Sequence, residues 1–464
     1  MPKRKIILYE LNEVPKKLVN YYVNKNPNSA LAYISNKGIN LDTITMDEGE
    51  LHPWSTWPTV HRGVNNNLHN IRYINQDLSI AKNYKPIWEL LAEKKIDVGI
   101  FGSLQSFPPI KNKYVKYYLP DTFAPKPNAF PEELELFQRF NLGLASDNKA
   151  ISGKIRTKSF FDLILLIKKK VISKRIALHL IKQVIKEKIN VKFKKRRSLL
   201  QNVISFEIFL KNVKRTKPSF CTYFTNHVAG MMHRYWRDLF PEEFKITKSE
   251  IDTFNSKSII KAMDLVDNNL KELLELSKKE NYDIWILSSM GQCAIDRGKY
   301  IPELSVKNIN KFLKMLNLNA KNYQLLPAMF PDFCIEAVNE KSLNLLREGI
   351  KKLKDVDNKF VLTERYPPIG LKLNLILKST ESSYKEKRLK FDDNLFSTKE
   401  LGLEFIKRDI GTGYHIPEGI FILYGPNQSK LEKYKNQKID TKKICPTLLK
   451  QFDIEIPQYM DKPL

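Results

Sequence analysis

The sequence predicts an α/β protein: a mostly parallel central sheet sandwiched by helices, carrying a basic helical insertion. Three observations predict it. Short apolar runs of strand length alternate with amphipathic helical stretches, and that alternation builds parallel sheets through right-handed crossovers. Polar residues repeatedly follow the ends of those runs, at the edge where parallel sheets place their sites. The alternation breaks once, between residues 150 and 200, in a lysine-rich stretch of helical period.

In chain order, residues 4–11 read as a buried strand reaching Glu10, followed by a helix over 16–24. Basic residues precede this run as in a signal peptide, but Glu10 and Asn12 interrupt it and no small-residue cleavage site follows. An amphipathic helix over 86–95 feeds a strand over 97–101. The segment FFDLILLIKKKVISKRIALHLIKQVIKEKI sets apolar residues at helical spacing with lysines opposite, giving one or two basic amphipathic helices. A helix over 204–213 leads to the strand SFCTYFT over 219–225, which ends at Asn226-His227. A long helix over 257–279 lines up Met263, Val266, Leu270 and Leu273 on one face and enters a strand over 283–287. Strands over 370–377 and 419–424 complete the alternation, the latter closed by Gly425-Pro426. The organisation expected is 1–130 as the N-terminal part of the core, 131–200 as the basic insertion or cap, and 201–464 as the rest of the core.

A chain of 464 residues, 42% of them hydrophobic, is ample for a full core and excludes disorder. Cys221, Cys293, Cys334 and Cys445 are widely spaced with no CxxC pair, as in a reducing compartment. No segment approaches the roughly 20 apolar residues of a spanning helix, so a cytoplasmic protein is expected. The net charge of +27 comes from 78 basic against 51 acidic residues. Its excess concentrates in residues 154–200, where Asp162 and Glu187 are the only acids. Zinc-finger, RNP and helix-turn-helix signals are missing, which argues against nucleic acid as the partner. The segment fits an anionic membrane surface at the inner face, or else a solvated helical cap over the site.

The seven histidines are few and grouped. His52, His61 and His69 share HPWSTWPTVHRGVNNNLHNI; His227 and His233 share TNHVAGMMHRYW; His415 lies in GTGYHIPEGI, and His179 alone stands outside. Imidazole is a common metal ligand and proton shuttle, so this grouping points to one composite site, against the plainer reading of buried, hydrogen-bonded histidines. Glu10, with Asn12 after the first strand, is a carboxylate placed to hold a divalent cation or to cap a turn. Ser55, Thr56 and Thr59 compete as a hydroxyl nucleophile near a helix N-terminus, where Pro58 suits the first turn, or as simple caps. His227, His233 and His415 match the three-nitrogen set of a catalytic zinc. By contrast, Ser288-Ser289-Met290-Gly291 offers neither carboxylate nor imidazole where a strand end would place one.

Taken in order, these segments resemble the alkaline phosphatase superfamily, in its type I phosphodiesterase/nucleotide pyrophosphatase branch. Gly63 and His69-Asn70-Ile71 keep the spacing that follows the family's nucleophile. The long helix, strand and Ser288–Gly291 turn stand where the family has Ser-Asp-His-Gly, and Gly413-Tyr414-His415 resembles its late Gly-x-His. The tail is similar to the family's closing segment, with Pro446-Thr447-Leu448-Leu449 and Met460-Asp461 in register. The resemblance covers about residues 1–125 and 200–464. It also extends to a divergent bacterial subgroup associated with surface-polysaccharide gene clusters.

The resemblance implies an alkaline-phosphatase-like fold and a metal-dependent phosphoester hydrolase or phosphotransferase. It implies zinc or manganese as cofactor and a phosphorylated small molecule or glycan as substrate. Family members bind two cations. His227, His233 and His415 would form an all-imidazole version of one site. Glu10 would stand for the first-strand acid of the other, but Ser289 and Met290 replace its Asp-His, and a thioether is a poor ligand for such cations. Thr56 or Thr59 would attack phosphorus, with His61 and Arg62 neutralising substrate charge. Thr56 lies nearer Gly63 than the family spacing, and the sulfatase signature is missing. The alternative is a catalytically degenerate member that binds or scaffolds.

Overall fold

The computed structural model describes residues 4–74, 76–146, 157–326, 328–329 and 332–464. Among these the frame is an eight-stranded, mostly parallel sheet between helical layers, the class the sequence predicts. Its strands are β1 (Lys5–Leu11), β2 (Ile39–Ile44), β3 (Val98–Phe101), β4 (Val115–Leu119), β5 (Phe220–Thr225), β6 (Tyr282–Leu287), then Glu418–Tyr424 and Lys438–Asp440. Across the sheet the order is Lys438–Asp440, β2, Glu418–Tyr424, β6, β1, β5, β3, β4.

β1 runs parallel to both neighbours, with Tyr9 opposite Tyr223 of β5 and Ile286 of β6. Side chains alternate along a strand, so β1 sends Ile7, Tyr9 and Leu11 into one core and Ile6 and Leu8 into the other. The first core is covered by the helix Thr253–Glu280, which buries Ile259, Met263, Val266, Leu270 and Leu273. Each such burial contributes roughly 1.5–3 kcal/mol. That outweighs the weak helix propensity of Asp267, Asn268 and Asn269 in the same helix, at most about 0.7 kcal/mol apiece. The second core is covered by the helices Pro53–Arg62, Ile87–Glu93 and Ile444–Gln451, which bring in Trp57, Trp88 and Leu448.

Two features depart from the sequence expectation. Glu418–Tyr424 runs antiparallel to β2 and β6. It follows the short strand Gly413–Ile416 with only Pro417 between, so the chain enters from the far edge of the sheet and must run back. The strand Lys372–Leu377 is not part of this sheet at all. It lies in a separate compact unit, Arg297–Ile410, where it pairs antiparallel with Asp332–Ala337 and Leu362–Glu364. That unit has its own core, including Leu304, Phe312, Ile335, Leu346 and Leu375. Residues 201–464 therefore do not form one continuous part of the larger unit.

The basic segment forms the helices Thr157–Lys168 and Lys174–Ile189. Its first residues, 154–156, lie outside the described ones. Leu166, Val171, Ile172 and Ile176 enter the first core, as do Leu134, Phe137 and Phe140 of the preceding helix, Glu132–Ser146. Among the described residues no helix is long and apolar enough to cross a membrane.

A close main-chain approach in the sheet is at Gly419, where an added Cβ would stand 2.3 Å from the Ser288 carbonyl oxygen and 2.7 Å from Thr43 Oγ1. Because a main-chain oxygen cannot swing aside, Gly419→Ala is expected to destabilise the protein by about 1–3 kcal/mol, measured as a lower urea midpoint at unchanged slope.

Candidate functional site

The ends of three adjacent parallel strands open onto one place. β1 ends at Leu11 and is followed by Asn12 and Glu13; β5 ends at Thr225 and β6 at Leu287. Asn12 ties these ends together. Its Nδ2 donates to Glu13 Oε1 at 2.8 Å and to Asn226 Oδ1 at 2.7 Å, while its Oδ1 accepts from Trp57 Nε1 at 2.8 Å. Ser288 Oγ donates back to the Leu11 carbonyl, and the Ser288 carbonyl accepts from Thr43 Oγ1 at 3.1 Å.

Glu13 is the centre of the arrangement. It is 2% exposed and has φ +60°, a left-handed conformation uncommon for a residue with a side chain. Its Oε2 lies 2.8 Å from His233 Nε2 and 3.4 Å from His415 Nε2, and it accepts from Gln292 Nε2. His233 comes from the helix His227–Leu239. His415 comes from the strand Gly413–Ile416, which pairs with Gly291–Ala294 so that His415 stands opposite Gln292. Each ring is oriented through its other nitrogen. His233 Nδ1 donates to the Gly413 carbonyl at 2.9 Å and His415 Nδ1 to the Leu51 carbonyl at 2.7 Å. Both Nε2 atoms are thereby turned to the carboxylate.

The three ligand atoms lie within 4.8 Å of one another. Two imidazole nitrogens and one carboxylate oxygen are a donor set suited to zinc or a similar divalent cation. Main-chain carbonyls on the remote Nδ1 atoms are the usual means of fixing such rings. His415 Nε2 is a buried polar atom with no hydrogen-bond partner, which the set would satisfy on binding a cation. The residues therefore fit the group. The electrostatics agree: burial alone would raise the Glu13 carboxyl, but the His415 and His233 imidazoles outweigh it and hold it well below the usual range. Burial likewise opposes the charged form of His415, yet Glu13 and the Leu51 carbonyl leave its pKa raised.

The structure brings together two of the four ligands expected from the sequence, His233 and His415. His227 is elsewhere. Its Nε2 donates to the Ala262 carbonyl at 3.0 Å and its Nδ1 accepts from Thr225 Oγ1 at 2.7 Å, so neither nitrogen is left for a cation. Glu10 is not at the strand end, because β1 continues to Leu11. The pleat turns it into the second helical layer, where Oε1 lies 2.7 Å from His61 Nε2. That contact also accounts for His61, whose ring packs between Trp57 and Trp88. Arg62 is buried too, donating to the carbonyls of Ala81 and Tyr84, and burial lowers its pKa to about 10. Neither His61 nor Arg62 presents a free charge to a substrate.

Of the three candidate hydroxyls, Thr59 is fully committed. It donates to Asp47 at 2.7 Å and lies 3.0 Å from His69 Nε2, whose Nδ1 accepts from the Ile71 amide. Ser55 Oγ accepts from Asn66 Nδ2 at 3.2 Å. Thr56 Oγ1 lies 2.8 Å from Ser289 Oγ, one turn into the Pro53–Arg62 helix, next to Trp57 and hence to Asn12. Glu13 and Gln292 were missed in the sequence reading. The signal for Glu13 is that it, not Glu10, is the first acid beyond the complete apolar run KIILYEL.

No protein-family profile matches this chain, and no curated protein matches it in sequence. Among solved structures, the chain is similar to human ectonucleotide pyrophosphatase/phosphodiesterase 5 at 10% identity and TM-score 0.43, over 99% of this chain and 97% of that one. It is also similar to a phosphonoacetate hydrolase from Sinorhizobium meliloti in complex with phosphonoformate, at 12% identity and TM-score 0.43, over 96% and 94%.

His227 generates a prediction about pH. Burial lowers its pKa from 6.5 to about 4. Below pH 6.5 the unfolded chain takes up a proton that the folded ring refuses, so stability falls as pH drops from about 6.5 toward about 4 and then levels. The full effect is at most about 3 kcal/mol. In urea unfolding at pH 7 and pH 4.5, His227→Gln is expected to show a smaller loss between the two pH values than the native chain. An equal loss would place the titration elsewhere.

Proposed function

We propose that this chain is a phosphoester hydrolase or phosphotransferase with a single-cation centre. Glu13, His233 and His415 hold zinc, or manganese in its place, and Thr56 provides the attacking oxygen. The observation that carries the reading is the convergence of three ligand atoms within 4.8 Å, with both imidazoles oriented by main-chain carbonyls. When bound, the cation supplies Lewis-acid stabilisation to a phosphoryl or leaving oxygen.

The chain's own residues do the rest. Gln292 and Asn12 fix the two Glu13 oxygens, so that one stays turned to the imidazoles. Thr56 is held by Ser289 near the start of a helix, where the backbone dipole favours negative charge developing on its oxygen. A phosphorylated small molecule or glycan, such as surface-polysaccharide metabolism supplies, is the substrate class in this reading. The buried thiols of Cys221 and Cys445, in no disulfide, support a reducing, cytoplasmic setting.

A second reading, a binding or scaffolding protein without turnover, is favoured by one observation. Where a second cation would need acid and imidazole, the chain offers the Ser289 hydroxyl and the buried Met290 side chain, while Glu10 is taken by His61. Metal analysis and assay separate the two readings. The purified protein is expected to hold one zinc per chain and to turn over at least one of phosphomonoesters, phosphodiesters or nucleotide sugars. His233→Ala is expected to lose the metal. Gln292→Leu is expected to weaken metal binding by about 10–100-fold. Thr56→Ala is expected to keep the metal and lose turnover by about a thousandfold or more. Full metal with no turnover on any of these substrates establishes the scaffold, and unchanged turnover in Thr56→Ala removes the nucleophile.

A further inference from the structure

Over its second half the helix Lys174–Ile189 is amphipathic in the reverse of the usual sense. Its inward side carries Ile176 and Leu180, which pack on the first core, and then polar residues: Gln183 Nε2 donates to Glu187 Oε1 at 3.0 Å and to the Phe193 carbonyl at 2.8 Å, and Arg197 grips Glu187. Its outward side carries Leu178, Ile181, Ile185 and Ile189, at spacings of three and four residues that place them on one stripe. All four are exposed, Ile189 by 79%. The preceding helix repeats the pattern, with Phe161, Ile164 and Leu165 exposed on the face opposite the buried Leu166. Of 21 large exposed hydrophobic side chains among the described residues, nine fall between 161 and 191, so the apolar surface is concentrated here and not scattered.

The charge around this stripe has one sign. Lys182, Lys186 and Lys188 are exposed beside it, and Lys168 ends the preceding helix with Lys169 and Lys170 in the turn after it, Lys169 lying 3.8 Å from Glu132 of the neighbouring helix. The two acids of the stretch are withdrawn, Asp162 to Arg139 and Glu187 to Arg197. A solvated cap needs no isoleucines facing water, and a nucleic-acid face would not place aliphatic side chains between its cations. An apolar stripe bordered by lysine is the pattern of a helix that lies in a membrane interface, its aliphatic side chains among acyl chains and its ammonium groups at anionic headgroups.

We propose that the outward face of residues 161–191 docks the protein on the surface of an anionic bilayer. The test uses the full-length protein and vesicles of phosphatidylcholine alone or with 30% phosphatidylglycerol, a mixture on the order of natural anionic membranes. Co-sedimentation is expected with the anionic vesicles, little with the neutral ones, and a decline as salt rises. Ile181→Asp/Ile185→Asp, at positions already in solvent, is expected to abolish binding with unchanged circular dichroism. Lys182→Glu/Lys186→Glu is expected to weaken it about tenfold or more. No binding by the folded native chain at low salt overturns the proposal, as does equal binding to neutral vesicles. Self-association lost in Ile181→Asp/Ile185→Asp, without vesicle binding, assigns the face to a second copy and overturns it. Binding that survives that variant and is displaced by duplex DNA overturns it in favour of nucleic acid.

Discussion

A carboxylate buried at the end of the central strand has to be matched by positive charge, and the surroundings of Glu13 are built around that requirement. Removing a carboxylate from water without a partner costs far more than a domain's whole margin of stability. Glu13 is nevertheless held ionised, because two imidazoles, a side-chain amide from Gln292 and another from Asn12 all point at its oxygens. Remove any one and the others are left with an uncompensated charge in a dry place. The left-handed backbone at Glu13 adds a cost of order 1 kcal/mol. It is tolerated because the turn after β1 must bring this side chain back over the strand ends.

The sheet makes such a convergence possible. Glu13 follows β1, Asn226 follows β5 and Ser288 follows β6, so the end of the first strand lies beside the ends of two strands more than two hundred residues later in the chain. His415 arrives from the opposite direction on Gly413–Ile416, and its antiparallel pairing with Gly291–Ala294 sets Gln292 and His415 on one rim. The same entry explains why Glu418–Tyr424 runs against its neighbours. Thr56 is drawn in through Trp57, whose indole donates to Asn12. The site therefore has little freedom to drift: each side chain that touches Glu13 is fixed again by a main-chain carbonyl or a neighbouring strand.

Much of this was legible in the sequence, and the failures have physical causes. The alternation of strands and helices gave the sheet, since apolar runs such as SFCTYFT and DIWIL cannot be placed except in its interior. His233 and His415 stood out because imidazole is scarce in the chain. Glu13 did not, because Glu10 lies inside the apolar run KIILYEL three residues earlier, and only the pleat, which decides the face a strand residue takes, removes Glu10 from the site. His227 looked equivalent to His233, but six residues along a helix is well off one face, and its two nitrogens were already satisfied by Thr225 and Ala262. The separate unit Arg297–Ile410 was invisible for a different reason. Its strands are mostly short, and the run that reads clearly as a strand, over 370–377, carries no pairing direction to show that it belongs to a different sheet.

The two regions on which the proposals rest share a logic. Exposed apolar atoms and buried charges are individually unremarkable only when they are few or paired. This chain concentrates both. At the strand ends it buries a carboxylate and surrounds it with imidazole; on the 161–191 helices it turns isoleucine outward and keeps glutamate inside. Each inversion opposes what folding alone would favour, since exchanging Gln183 and Ile181 between the faces of their helix would bury more apolar surface and hydrate more polar atoms. In the two proposed readings the counterparts are a cation for the carboxylate and its two nitrogens, and an apolar and anionic surface for the isoleucines and their lysines.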